Sequence, residues 1–267
     1  MMGENFDAKD YWEKRLQGNY DLHGVGLIEW GPWFNQWLYR IRRHGFLKTI
    51  RQIKSNWADA CVLDIGSGTG FYLERWQEVG AKSIQGMDLT DVAVEQLQAK
   101  FPAMAIHCAD IGAGAPGGMD KQFDAISCMD VLFHIVDDEH YQKAFENIAA
   151  MLNDDGLFVF SDSWLKGKDI RGVHIVHRSR EHVQQALTQA RLQVIEVHPM
   201  FVLLNAPVDS SNPLLRFWWW SLYQVSARFH RLGGVLAAVI YPLERLLLRF
   251  YGSDGPTTKV IVCKKME

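Results

Sequence analysis

The stretch Val62-Leu63-Asp64-Ile65-Gly66-Ser67-Gly68-Thr69-Gly70 constrains the fold more than any other part of this chain. A compact apolar run ends in an acid, enters three glycines at alternating positions, and continues into a segment with helical patterning. Glycine lets the backbone turn tightly and approach a ligand with no Cβ in the way. The start of a helix offers N–H groups that no helical carbonyl takes up. A strand, a glycine turn and a helix in that order open an α/β unit whose turn can seat a ligand. A dinucleotide turn asks for G-x-G-x-x-G, but Phe71 occupies the third glycine position and Gly70 breaks the pattern. A carboxylate at Asp64 would oppose a pyrophosphate and suits a ligand with a cationic amine.

Downstream, short apolar runs alternate with amphipathic ones. The patterning predicts strands over 60–65, 83–87, 104–108, 123–129 and 157–161, with two more over 193–204 and 257–264. Helices are expected over 71–79, closed by Gly80, and over 91–100 with Asp91 as N-cap and Pro102 beyond its end. Two more are expected over 138–152 and from Ser179 through Ala190. Residues 112–118 read as a Gly/Ala loop, and Asn153-Asp154-Asp155-Gly156 as a turn. This β-α-β-α order implies a mostly parallel sheet with helices on both faces and right-handed crossovers. Ligands of such sheets bind beyond the carboxyl ends of the strands, where strand order reverses. That rule selects the loops after Ile65, Met87, Cys108 and Met129.

With these residues in view, the chain resembles the class I, Rossmann-like S-adenosylmethionine (SAM) dependent methyltransferases of the small-molecule type. Their first motif is acid-x-Gly-x-Gly-x-Gly, matched by Asp64, Gly66, Gly68 and Gly70 with Ser67 between. Met87-Asp88-Leu89 is similar to the family's acid at the end of the second strand, which implies that Asp88 binds the cofactor's ribose hydroxyls. Ala109-Asp110-Ile111 resembles the segment whose acid receives the adenine amino group while the next apolar residue packs on the ring. Residues 123–134 resemble the fourth-strand motif, with Met129 open to either strand packing or cofactor contact. The likeness covers about 55–205 plus the final strand. It implies an α/β, doubly wound sheet of seven strands with the last antiparallel and SAM as cofactor, but names no substrate; the expected reaction is methyl transfer to a small acceptor, at oxygen.

His134, after the fourth strand, is the candidate general base, since imidazole titrates near neutral pH; a purely structural histidine is the alternative. Asp130 is a candidate to hold the acceptor or the cofactor's amine. Asp130 with Asp162 lacks the neighbouring ligands a divalent-metal site needs, so no metal is expected. A non-catalytic SAM-binding module stays open as a rival, and an NAD-type oxidoreductase is disfavoured by Phe71.

The expected division is a helical lid over 1–55, a core over 56–208 and 256–267, and a hydrophobic helical insertion over 209–255. By analogy with lids of the family, Tyr11, Trp12 and Tyr39 are candidates to contact cofactor or acceptor, and Arg40 or Arg43 the cofactor's carboxylate; ordinary helix packing is the alternative. The insertion places Trp218, Trp219 and Trp220 and many leucines beside five arginines and one acid between 214 and 251. No uninterrupted apolar stretch reaches the ~18 residues of a membrane span. The insertion therefore suits a cap over an apolar pocket, a homodimer face or a membrane-surface contact, and the acceptor is expected to be apolar or amphiphilic. A net charge of −3 argues against a nucleic-acid partner. Cys61, Cys108, Cys128 and Cys263 lack metal spacing and read as small buried hydrophobes. The charged N-terminus has no apolar h-region, and Met2 precedes Gly3, so no signal peptide or myristoyl site is expected, and a cytoplasmic location is.

Overall fold

The computed structural model describes residues 6–114, 116, 117, 119 and 123–266. Residues 1–5, the basis of the expectation about the N-terminus, and Gly118 at the end of the expected 112–118 loop lie outside the described residues.

Seven strands form one sheet: β1 (Cys61–Ile65), β2 (Ser83–Asp88), β3 (Ala105–Cys108), β4 (Phe123–Cys128), β5 (Leu152–Asp162), β6 (Leu192–Pro199) and β7 (Lys259–Lys265). Their order is β3-β2-β1-β4-β5-β7-β6. The first five run parallel, and β7 lies antiparallel between β5 and β6. The doubly wound sheet with a reversed last strand is thus present. Val62 packs into the cluster on one face and Leu63 into the cluster on the other. Burial on both faces explains why these strands read as unbroken apolar runs rather than alternating ones. Strand order reverses between β1 and β4, and Ile65 pairs with both Met87 and Cys128. The carboxyl ends of β1, β2 and β4 therefore finish level, and the loops leaving these strands share a single rim.

Helices α3 (Phe71–Glu78), α4 (Asp91–Lys100), α5 (Asp138–Met151) and α6 (Arg180–Gln189) connect the strands. The N-cap of α4 is Thr90, whose hydroxyl accepts from the Ala93 N–H, and not Asp91 as expected. Asp91 is the first helical residue and pairs with Lys9, which also suits the positive end of the helix. The Asn153–Gly156 turn is absorbed into β5 as an irregularity: Phe123 pairs with Leu152, but Ala125 pairs with Leu157. Cys128 and Cys263 are buried as expected, but Cys61 is only half-buried and Cys108 is exposed, with its thiol 3.1 Å from Asp91 Oδ1. Cys108 ends β3, the edge strand, where one flank faces solvent.

The flanking segments are helical. α1 (Ala8–Gly18) and α2 (Gly31–Ile53) precede the core, and α7 (Pro213–Arg228) and α8 (His230–Leu247) separate β6 from β7. α2 buries Phe34, Leu38, Ile41, Phe46 and Ile50 at helical spacing. The insertion is fixed to it by stacking of Trp219 on Trp30, with ring centres 4.4 Å apart. It is fixed to the sheet by the buried Lys259–Asp209 pair at 2.9 Å. No helix among the described residues is long and apolar enough to cross a membrane.

Candidate functional site

The glycine loop folds back over the end of β2. The N–H groups of Gly66 and Ser67 both donate to the Met87 carbonyl, at 2.8 and 3.0 Å. Gly66 takes φ +70°, and a Cβ there would run into Val131 Cγ2. The next loop residue ties to β2 through its acid: Gly68 N–H donates to Asp88 Oδ2 at 2.8 Å, while Asp88 Oδ1 accepts from Thr90 N–H and hydroxyl at 3.0 and 2.8 Å. Tyr20 closes the loop from the other side, its hydroxyl donating to the Gly68 carbonyl at 2.8 Å. Burial raises the Asp88 carboxyl above the ordinary carboxylate value, and the backbone donors oppose that shift.

These groups line a cavity with about 1000 Å³ of empty space, part of it open to solvent, which is within the range of small-molecule sites. Its rim holds Gly66, Ser67, Gly68, Asp88, Leu89, Asp110, Ile111, Met129, Asp130 and His134, so most of the expected site residues do meet. Trp12 and Tyr39 also line it. Asp110 is fixed by Gly112 N–H on one oxygen and His140 Nε2 on the other, both at 2.9 Å. Among the described residues, no group of three or more His, Cys, Asp or Glu is placed to hold a metal ion.

Asp130 has φ +61°, a left-handed conformation uncommon for a residue with a side chain. It is held there by two partners: its N–H donates to Ser161 Oγ at 2.7 Å, and its Oδ2 accepts from Arg42 Nε at 2.7 Å. His134 ends a short 3-10 turn, with Nδ1 2.9 Å from the His174 carbonyl. A carbonyl only accepts, so Nδ1 carries the proton and Nε2 keeps a lone pair. Trp12 sets its ring edge-on against this imidazole, centres 5.0 Å apart. Desolvation lowers the His134 pKa to about 4, so the ring is neutral at physiological pH.

Four expectations change. Asp64 is not on the cavity wall: its carboxylate is buried beneath the loop, Oδ1 accepts from Ser127 Oγ at 2.5 Å, and Oδ2 has no partner. Burial pushes its pKa up to about 7. Gly70 also lies off the wall; it starts α3 at φ +81°, where a Cβ would sit 2.5 Å from Phe101 Cε2. Tyr11 stacks on His174 with centres 5.3 Å apart, outside the lining. Arg40 lies over Trp37 and Arg43 pairs with Glu78, so neither reaches the cavity.

Arg42, between them, is the arginine that turns toward the site. It is in phase with buried Leu38 and Phe46 on α2, one helical turn from each, whereas Arg40 is out of phase; that signal was present in the sequence. Tyr72 and Thr69 were also missed. Both line the cavity, and the Tyr72 hydroxyl and Thr69 Oγ1 are buried without partners.

Residues 62–156 match the methyltransferase-domain family. Over that stretch the chain is similar to methyltransferase domains, and its seven-stranded sheet has the Rossmann-like fold of solved SAM-dependent methyltransferases. A tRNA U34 carboxymethyltransferase of Pseudoalteromonas translucida is 32% identical over 127 residues, 46% of this chain and 35% of that protein. A dTDP-4-amino-2,3,4,6-tetradeoxy-D-glucose N,N-dimethyltransferase of Saccharopolyspora spinosa is 28% identical over 138 residues, 51% of this chain and 53% of that protein. The chain thus spans about half the length, or less, of these curated relatives. A solved SAM-dependent methyltransferase from Clostridium acetobutylicum shares the fold, with a TM-score of 0.53 at 13% identity over 97% of both chains.

The residues of this domain fit SAM. Asp88 accepts three bonds from the protein and leaves a carboxylate lone pair at the cavity wall for a ribose hydroxyl. Asp110 keeps an accepting site on each oxygen for an exocyclic amine, beside the apolar face of Ile111. The unpartnered Tyr72 hydroxyl and Thr69 Oγ1 are buried polar groups on that wall, as a polar ligand would require.

Proposed function

We propose that the chain transfers a methyl group from SAM to a small acceptor with an apolar body, at oxygen. The observation that supports this most is the composition of one cavity: acids and loop amides on one part of its wall, and Trp12, Leu16, Val25, Tyr39 and Phe71 around a single neutral imidazole on another. Residues 1–55 serve as the lid, 56–208 with 256–267 as the catalytic core, and 209–255 as an added element.

Bound SAM supplies an electrophilic sulfonium methyl, so transfer needs in-line alignment and exclusion of water more than it needs acid or base strength. Gly66, Ser67 and Gly68 hold the cofactor by backbone approach, Asp88 its ribose, and Asp110 with Ile111 its adenine. The Asp130–Arg42 pair fixes the floor by which the acceptor is aligned. His134 Nε2 would accept the acceptor's hydroxyl proton as the oxygen–carbon bond forms and the sulfur–methyl bond breaks, its electron pair staying on sulfur as a neutral thioether. A weak base suffices there, because the hydroxyl becomes strongly acidic as its oxygen is alkylated.

The curated relatives are named for tRNA and nucleotide-sugar substrates, so the acceptor class is the part to test first. The chain is incubated with labelled SAM and a panel of hydroxylated apolar compounds, amines, tRNA and protein. Label in an apolar hydroxyl compound, lost with His134→Ala, is expected. Label in tRNA or protein overturns the acceptor class, and SAM binding with no transfer across the panel makes the chain a SAM-binding module instead.

A further inference from the structure

The insertion carries a surface that methyl transfer does not use. On α8, Leu232, Val235, Val239, Leu243 and Leu246 are 47–71% exposed and repeat at helical spacing along one stripe. The opposite face, with Gly233, Gly234, Ala237, Ile240 and Glu244, is buried against the protein. On α7, Leu214, Phe217 and Trp220 are 56–77% exposed and recur every third residue. Two apolar stripes this exposed on neighbouring helices are more than the single scattered hydrophobes of an ordinary surface, and they mark an interaction site.

The charges say what covers it. Between 214 and 251 there are five arginines and a single acid, Glu244. Glu244 is fully buried and turned inward, its carboxylate accepting from the Val202 and Leu203 N–H groups at 2.6 and 2.7 Å. On α7 and α8 themselves no acid faces outward; the nearest are Asp254, paired with Arg180, and Glu29, which accepts from the Tyr223 hydroxyl. Arg231 is exposed at the start of α8 and Arg249 in the turn beyond it, while the half-buried Arg245 turns back toward His44 Nε2, 3.5 Å away. The same region depresses the His44 pKa: burial contributes most, followed by the positive charges of Arg245, Lys48, Arg249 and Arg43. A twofold contact of this patch with its own copy would bring these arginines no acid from α7 or α8, since an isologous interface is made of the same patch twice. An apolar stripe with exposed tryptophan and arginines at its ends is the makeup of a helix lying in a membrane interface.

We propose that α7 and α8 dock this protein on the surface of an anionic lipid bilayer, lying on it without crossing it. Trp219 on α7 stacks on Trp30, and the segment before Trp30 includes Val25 on the cavity wall, so the docked face and the cavity share one packed unit.

The test is flotation of the full chain with vesicles of phosphatidylcholine alone and with phosphatidylglycerol added. The chain is expected to float with the anionic vesicles, less with the neutral ones, and to lose binding as salt is raised. The double variant Arg231→Ala/Arg249→Ala is expected to bind about 25-fold more weakly, on the basis of roughly fivefold per arginine at an anionic surface. Val239→Ser/Phe217→Ser should also bind more weakly, and both should keep the far-ultraviolet circular dichroism of the parent. Absence of flotation with anionic vesicles overturns the proposal, as does unchanged binding by both variants. Sedimentation as a dimer that Val239→Glu dissolves assigns the face to a second copy and also overturns it. Because SAM is absent from the assay, failure here leaves methyl transfer untouched.

Discussion

Asp88 and His134 carry most of the site's chemistry, Asp64 lies beneath the loop that forms it, and each makes a separate prediction. Asp88→Ala removes the carboxylate that both fixes Gly68 and faces the cavity, and should weaken SAM binding by about 1.5–3 kcal/mol, the scale of a hydrogen bond to a charged group; titration calorimetry reads this directly. His134→Ala should lower turnover by about 10²–10⁴-fold and leave SAM affinity in place. Its pH signature comes from a depressed pKa. The imidazole is a base above about 4 and loses that role only as pH falls through about 4. The rate should therefore be flat across pH 6.5, where an ordinary histidine titrates, and a step there would contradict the assignment. Asp64 has the opposite pattern. Its pKa is raised to about 7 by burial, so between the unfolded value near 4 and about 7 the native state binds more protons than the unfolded one, and stability falls as pH rises through that window. Asp64→Asn can still accept from Ser127. Thermal melts should show its advantage over the parent growing from pH 5 to 8, and a constant difference would show that Asp64 is not the group responsible. The burial of Asp64 was not visible from its position before the glycines: its Oδ1 accepts from Ser127, which in turn accepts from Trp76.

At the scale of elements, the strands and helices of the core were legible because both of their periods are strong. Runs buried on two faces, bounded by Gly, Asp and Asn, gave five parallel strands close to their observed limits. The glycine turn was legible as well, but its three glycines divide the work. Gly66 and Gly68 form the cavity wall, and Gly70 exists for the start of α3, where φ is +81° and Phe101 closes the space. Gly70→Ala should destabilise the fold by about 1–3 kcal/mol through backbone strain in urea unfolding, with contact against Phe101 adding to it; a neutral substitution would refute that role. Less visible were contacts set by tertiary packing. Nothing local distinguishes Tyr72 from an ordinary buried aromatic, and its unpartnered hydroxyl appears only when α3 is laid against the cavity. Arg42 was legible by helical phase, since it shares a face with Leu38 and Phe46, but the charge drew attention to neighbours that face solvent. Thr90 took the N-cap from Asp91 because its hydroxyl can satisfy both the Ala93 N–H and Asp88.

For the whole molecule, sheet order sets where chemistry occurs. The reversal between β1 and β4 brings Gly66–Gly68, Asp88 and Asp130 to one rim although they are spread along the sequence, and the N-terminal helices close over it. The antiparallel β7 was expected from family resemblance rather than from any local pattern, because a strand's direction depends on the connection that precedes it. That connection is the α7–α8 insertion, whose composition marked it as unusual but whose orientation only the packing reveals: Glu244 inward, Arg231, Arg249 and the α8 stripe outward. The fold alone admits many chemistries, so the central claim is that this cavity is built for SAM. Calorimetric titration of the full chain with SAM and, separately, with NAD tests it most directly. The account predicts one saturable SAM site, lost or strongly weakened in Asp88→Ala, and no comparable NAD binding. Saturable NAD binding without SAM binding would contradict it.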